Sequence, residues 1–392
     1  MGEVRLKRRI GLGLLTLYGV GVMIGAGIYV LVGHVAGESG GWAPLAFLLA
    51  GLVAAPTAVS YAELSVRIPE SAGEAAYMRA ATGSGGLAAL IGLAVAAVGI
   101  VSAAAVLNGG VGYLRALVDV APAVLAIAIA VLLGVAALIG VLESLALAAF
   151  LTLVEVIGLF VVVGVGFSFP AELPPGPPLA MSGLAAGALL AFFAFIGFED
   201  MVNMAEETRD PGHTMPRAII AAMAITTLIY ILVAWAAVRA VPPEALAASE
   251  RPLALVFEMA TGRSAGFLAA IAVAAALNGV LAQIVMASRV LYGLGRFSSV
   301  FSVFHTVHPR FGTPVLATVL CVALVLLLAL SLPIAALAEL TSTVLLVIFC
   351  AITAVLIVLK RRSAAEGFSA PVWVPWLGLV LSGAALAWGV LA

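Results

Sequence analysis

Apolar residues in this chain do not recur every three or four positions, as they would on a helix with one wet face. They fill long runs, and polar residues collect in the short gaps between them. A helix needs about 20 apolar residues to cross ~30 Å of hydrocarbon. Runs of that order lie at 10–33, 42–62, 87–112, 122–142, 144–168, 181–203, 217–238, 264–288, 314–332, 334–359 and 371–391. They predict about eleven transmembrane helices, the stretch 314–359 dividing only at Ser331-Leu332-Pro333. Arg5, Lys7, Arg8 and Arg9 precede the first run in the manner of a signal peptide. That run outlasts the roughly 7–15 residues of a cleaved hydrophobic region, so a retained first span is expected.

Composition agrees with the pattern. Of 392 residues, 64% are hydrophobic and 9% charged, against roughly 25% charged in a soluble domain. Too few charges remain to coat a wet surface of this size, and a net charge of −1 leaves no electrostatic footprint for nucleic acid. The cations also set an orientation, because Lys and Arg favour cytoplasmic loops. With the N-terminus inside, all but four of the 18 fall inside; Arg115, Arg239, Arg251 and Arg263 are the exceptions. A multi-pass protein of the cell membrane is expected, its N-terminus cytoplasmic and its C-terminus extracytoplasmic. Cys321 and Cys350 sit inside apolar runs and make no metal spacing, so two buried thiols and no metal or organic cofactor are expected.

The exterior stretch Ala240–Gly262 holds Pro242, Pro243 and the run LALVFEMA, which predicts a short helix over the outer face. Residues 67–86 are too polar to span and are expected along the cytoplasmic interface. His34, His213, His305 and His308 fall in predicted loops. Neither HExxH spacing nor a nucleophile elbow stands on a span, which argues against an intramembrane enzyme. A channel needs repeated polar rings along a pore, and the spans carry no such ladder.

Two spans contain breaks. The first reads YGVGVMIGAGIYVLVG, and the sixth reads AFFAFIGFEDMVNMAEE. A membrane helix tolerates a break only where protein or a cavity satisfies the freed backbone. Each broken span opens a possible set of five, spans 1–5 and 6–10, the pattern of an inverted-repeat secondary transporter. Taken alone, Gly21-x-x-x-Gly25 fits close helix packing equally well. The adjacent carboxylates Glu199 and Asp200 weigh toward function, because charge inside an apolar helix is costly. Glu155, in LTLVEVIGLF, is the other outlier. It is a candidate proton carrier or cation ligand, or else a structural glutamic acid bonded to a neighbour. Asn278 and Gln283 on span eight either line a cavity or bond neighbouring helices, packing being the commoner use.

Several segments in order resemble the amino acid–polyamine–organocation family of permeases. They are IGAGIYV in span one, SYAELSVRIPESAGEAAY from Ser60, FFAFIGFEDMVNMAEETRDPGHTMPRAI from Phe192, ASRVLYGLGR from Ala287 and TPVLATVL from Thr313. The resemblance covers roughly residues 8–362. It implies an all-α polytopic membrane protein with a leucine-transporter-type bundle of two inverted five-helix repeats plus one extra helix. The whole chain would be one transporter domain, with repeats at 10–168 and 181–359 and the extra helix at 371–391. In such permeases the unwound glycine segment of span one meets the substrate carboxylate; here that segment is Ile24, Gly25, Ala26 and Gly27. Carbonyls of the span-six break hold the substrate ammonium, which maps to Phe193, Ile196 and Gly197. Phe193 is then the candidate gate, and Phe198 shapes the side-chain pocket. Glu199 matches an acidic position where proton sensing is suspected in relatives, the alternative being that it bonds N–H groups freed by the break.

Two features depart from the family pattern. Many relatives place a Lys on span five, where this chain has Glu155 at or near that position, so a lysine switch does not carry over. Most have twelve spans rather than about eleven. The function implied is secondary transport of an amino acid by alternating access, coupled to a proton or to sodium, with lipid as the surrounding medium. No Arg or Lys lies at mid-depth to pair an acidic side chain, so a neutral substrate is expected. A cationic amino acid or polyamine permease, or an exchanger, is the alternative.

Overall fold

The apolar runs fold as helices because, in hydrocarbon, each backbone N–H and C=O has to be satisfied within its own segment. The computed structural model describes residues 10–25, 27–70, 73–115, 117–139, 145–168, 180–295, 299–306, 313–363 and 367–391. The first half contains α1 (Leu12–Ile24), α2 (Gly27–Ser39), α3 (Ala43–Arg67), α4 (Gly73–Thr82), α5 (Gly85–Leu114), α6 (Pro122–Ile139) and α7 (Leu145–Ser168). The second half begins with α8 (Met181–Phe193), α9 (Pro211–Ala240), α10 (Pro243–Ala248) and α11 (Pro252–Thr261). It continues with α12 (Gly266–Leu294), α13 (Val315–Ser331), α14 (Ile334–Arg362) and α15 (Trp373–Leu391).

Among the described residues, seven helical stretches are long and apolar enough to cross a membrane. They are Gly27–Arg67, Ala149–Ser168 of α7, and the whole of α5, α6, α9, α12 and α14. Shorter apolar helices stand at α1, α8, α11, α13 and within α15. Large apolar side chains such as Leu90, Leu132, Phe150, Ile157 and Leu228 face outward. On an all-helical molecule of this composition, that surface is the one lipid covers.

Small residues let the long helices approach closely. A Cβ at Gly92, Gly99 or Gly110 of α5 would meet Leu294, Met286 or Ala276 of α12 in turn, so the two helices run antiparallel along their length. Gly51 of α3 abuts Thr227 of α9, and Gly134 of α6 abuts Val322 of α13. The turn at Leu332 and Pro333 separates α13 from α14. Asn108 of α5 donates there to the carbonyls of Ala329 (2.9 Å) and Leu332 (3.3 Å), which a helix end leaves unpaired.

Two local expectations change. α2 runs on to Ser39, so His34 lies in a helix rather than a loop; His213 is likewise in the first turn of α9. Hydropathy ended the run at Gly33, yet Gly33 and Gly37 pack on Leu246 and Ala247 of α10, and a protein neighbour does not require an apolar partner. His305 follows a 3₁₀ turn, Ser299–Phe304, and His308 lies outside the described residues. The stretch Ala240–Gly262 forms two short helices, α10 and α11, rather than one. Hydropathy also did not show that α4 has a face buried against protein, formed by Gly73, Glu74, Tyr77, Met78 and Ala81.

One end of the bundle is held by a charge cluster. Glu63 of α3, fully buried, receives Nε of Arg67 at 2.8 Å, Nζ of Lys360 at 2.7 Å and the backbone N–H of Ala370 at 2.8 Å. One carboxylate thus ties α3, α14 and the approach to α15.

Candidate functional site

Span one breaks at Gly25, whose backbone takes φ 29° and ψ −142°. That positive φ suits a residue without a Cβ. The Gly25 N–H closes the last turn of α1 on the carbonyl of Gly21 at 2.9 Å. Among the described residues, the donors that a helix start leaves without an intrahelical partner are those that open α2 at Gly27, while Ile24 ends α1. Ala26, expected at the same site, lies outside the described residues.

Span six breaks over a longer stretch. α8 ends at Phe193, tight turns follow, and residues Glu199–Glu207 continue as a 3₁₀ run. Ala194, Phe195 and Ile196 donate to the carbonyls of Ala191, Phe192 and Phe193 at 3.0, 3.0 and 3.2 Å. A 3₁₀ run of this length is unusual and marks a place where regular helix has been given up. The carbonyls of Ile196 and Gly197 accept no hydrogen bond from the described residues.

The two breaks touch. Gly197 has φ 121°, and a Cβ there would stand 3.1 Å from the backbone carbon of Val22 and 3.2 Å from the N of Met23. A Cβ on Gly27 would stand 3.3 Å from Cα of Ala194. Backbone therefore meets backbone at both crossings. Tyr230 of α9 joins them: its hydroxyl lies 2.6 Å from the carbonyl of Met23 and 2.7 Å from that of Ala194. A hydroxyl carries one proton, so it donates to one of these carbonyls at a time. Phe195 and Phe47 hold the ring, at centroid distances of 5.2 and 5.6 Å.

Opposite partial charges lie side by side at this crossing. α2 begins there and presents the positive end of its dipole; α8 finishes there and presents its negative end. A zwitterion, with carboxylate and ammonium on one carbon, matches both ends at once.

Of the residues expected at the site, Ile24, Gly25, Gly27, Phe193, Ile196 and Gly197 belong to the two breaks, and Phe193 is buried at the end of α8. Phe198 is fully buried in an aromatic cluster, 5.7 Å from the ring of Tyr61 and 5.1 Å from that of Phe349. Glu199 accepts the N–H of Gly197 on Oε2 at 2.9 Å, so it does bond backbone freed by the break. Glu155 stands beside the span-one break: Thr152, one turn earlier, packs on Gly21, and the Tyr29 hydroxyl donates to the Glu155 carbonyl at 2.8 Å. Both carboxylate oxygens of Glu155 are buried and have no hydrogen-bond partner among the described residues.

Two polar residues here, Tyr230 and Glu74, had no site role expected from the sequence, and for a third, Gln283, packing was favoured over lining a cavity. Tyr230 sits in TTLIYILVAW, where an aromatic hydroxyl in an apolar run was the available signal. Gln283, read as packing, donates to Oδ2 of Asp200 at 3.3 Å. Glu74 belonged to a stretch read as interfacial. Among the described residues, no group of three or more His, Cys, Asp or Glu is placed to hold a metal ion.

Residues 11–392 match the family described as amino acid permease. The branched-chain amino acid permease BcaP of Bacillus subtilis is 28% identical, over 92% of this chain and 83% of that protein. The methylthioribose transporter of the same organism is 30% identical, over 95% of this chain and 86% of that one. Cationic amino acid transporter 4 of Mus musculus is 30% identical over 92% of this chain, which spans 61% of its length. With two helix breaks crossing inside a multi-pass membrane protein, these likenesses establish that the chain belongs to the amino acid permease family and is a transporter of amino acids rather than an enzyme.

Proposed function

We propose that this protein moves a neutral amino acid across the cell membrane by alternating access, with transport coupled to a proton. The observation that carries the substrate reading is the crossing of the two breaks, where α2 offers a positive end and α8 a negative one. Both serve the part common to all amino acids. Ile24, Gly25, Ala26 and Gly27 take the carboxylate, the carbonyls of Phe193, Ile196 and Gly197 take the ammonium, Phe193 gates the site and Phe198 shapes the pocket behind it. The branched-chain permease among the relatives agrees with a neutral side chain. The cationic transporters among them favour a second reading, which the unpartnered carboxylate of Glu155 would serve.

The proposed architecture is a 5+5 inverted repeat with an eleventh helix, N-terminus cytoplasmic and C-terminus outside. The first four pairs of equal rank in the two halves lie in contact, α1 and α2 with the α8 break, α3 with α9, α5 with α12 and α6 with α13, whereas the fifth pair, α7 and α14, stands apart. That pairing is what a pseudo-two-fold axis in the membrane plane produces. Glu155 and Glu199 are the proposed coupling carboxylates, Glu155 standing where a cation or proton would relieve two unpaired oxygens.

Uptake and counterflow in proteoliposomes across the twenty amino acids, with and without an inward proton gradient, test the reading. Saturable counterflow of a neutral amino acid is expected, with gradient stimulation that Glu155→Gln removes. Failure of every amino acid to move sinks the transport reading. Stimulation unchanged in Glu155→Gln removes that residue from coupling, and stimulation by sodium in place of protons reassigns the ion.

A further inference from the structure

Glu74 of α4 meets Glu199 and Asp200 of the span-six 3₁₀ run around one cavity of ≈ 10 Å³, with Gln283 of α12 closing it. A space of that size holds about one water-sized species. All four side chains are at least nine-tenths buried. Among the described residues, none of the three carboxylates forms an ion pair with a basic side chain. Glu199 holds the Gly197 N–H, and Asp200 takes Nε2 of Gln283. The Oε1 of Gln283, 6% exposed as a residue, has no hydrogen-bond partner among the described residues.

Three ionised carboxylates about one small cavity repel one another in a low dielectric, and an orphan carbonyl oxygen beside them lacks a donor. A bound proton answers both defects. It turns a carboxylate, charge −1, into a neutral carboxylic acid, and the O–H so formed can donate. A metal ion fits poorly, because these groups are not placed to converge on one ion. We propose that this cavity is a proton-binding site in which Glu74 and Asp200 hold the proton, so that loading ties α4 to the broken span six. What the proton does there rests on the transport reading; that it binds there does not.

The groups facing the site are Tyr61 of α3 and Tyr77 of α4, both toward Glu74, with Glu70 acting on Tyr77 in turn. Tyr18 of α1 feels both Asp200 and Arg289 of α12. Burial, with Asp200 adding to it, pushes the Glu74 carboxyl from 4.5 up to about 7. Between those values the folded chain holds a proton that an unfolded one has released. The arrangement with α4 docked is therefore favoured by acid and loses stability as pH rises through that window. Deprotonation sets Glu74 against Asp200 and loosens α4 from span six.

Infrared titration of the full-length protein in lipid, from about pH 5 to about pH 9, uses the proton itself as probe. A protonated-carboxyl band titrating near neutral pH is expected, and Glu74→Gln or Asp200→Asn should remove or displace it. A titration identical in both variants and the unaltered protein overturns the site, and so does sodium displacing the band at fixed pH. If Asp200→Asn fails to fold, Glu74→Gln on the short helix α4 carries the same test. Where the unaltered protein transports, Glu74→Gln should lower gradient stimulation roughly fivefold or more. An unaltered protein that moves no amino acid yet shows the band, lost in Glu74→Gln, fails the transport reading and keeps the site.

Discussion

Two buried carboxylates in one stretch of sequence, SYAELSVRIPESAGEAAY, have opposite surroundings. Glu63 is fully buried and receives Arg67, Lys360 and the Ala370 N–H at 2.7–2.8 Å. Glu74 is 4% exposed, and no basic side chain pairs with it among the described residues; its neighbours at the cavity are two more acids. Burial alone therefore does not mark a functional acid in this bundle. The distinction is whether a cation was buried with it. A compensated carboxylate is a fixed joint, and an uncompensated one has to be relieved by something that arrives and leaves.

The largest effect expected from this contrast is on stability. Glu63→Gln leaves Arg67 and Lys360, both 9% exposed, facing each other without their shared anion. Removing one member of a buried ion cluster costs about 3–5 kcal/mol. Thermal unfolding in detergent or lipid should show that loss, whereas Glu74→Gln above neutral pH should leave stability equal or higher, because it removes an uncompensated charge. Equal losses in the two variants would erase the distinction.

A smaller effect is expected at Tyr230, where one hydroxyl serves the carbonyls of both breaks. Tyr230→Phe keeps the ring against Phe195 and Phe47 but leaves Met23 and Ala194 carbonyls without that donor. A buried acceptor so stripped costs about 1–3 kcal/mol. Since these carbonyls front the proposed substrate site, the loss should appear mainly in transport, as roughly a tenfold lower counterflow rate. If Tyr230→Phe instead lowers thermal stability with transport intact, the hydroxyl is a joint of the Glu63 kind.

The long helices and the places where two of them break were legible in the chain because both are written locally. An apolar run has a length, and Gly25 and Gly197 announce backbone that a Cβ would obstruct. Glu155 was legible as a lone acid among apolar neighbours. What failed was everything decided by a distant partner. Hydropathy stopped span one at Gly33 because it does not see α10 packed on α2. It gave no role to Glu74 within 67–86 because it does not see α4 docked over Asp200. Tyr230 reaches the site across the fold from a helix with no unusual local pattern, and for Gln283 only three-dimensional contact decides between packing and a cavity.

The smallest effect is expected at Arg115 and Glu250. Their charges approach within 3.0 Å on both carboxylate oxygens, nearly the separation of Arg67 from Glu63. The side chains are 42% and 60% exposed, so water screens the attraction and no desolvation debt is left behind when one partner goes. Glu250→Gln should cost less than about 1 kcal/mol, and added salt should shrink even that. Contact distance is thus nearly held constant between the two pairs while dielectric changes. If Glu250→Gln proves as damaging as Glu63→Gln, proximity of charge rather than its burial sets the energy, and the reading of Glu74 as an acid awaiting a proton loses its physical basis.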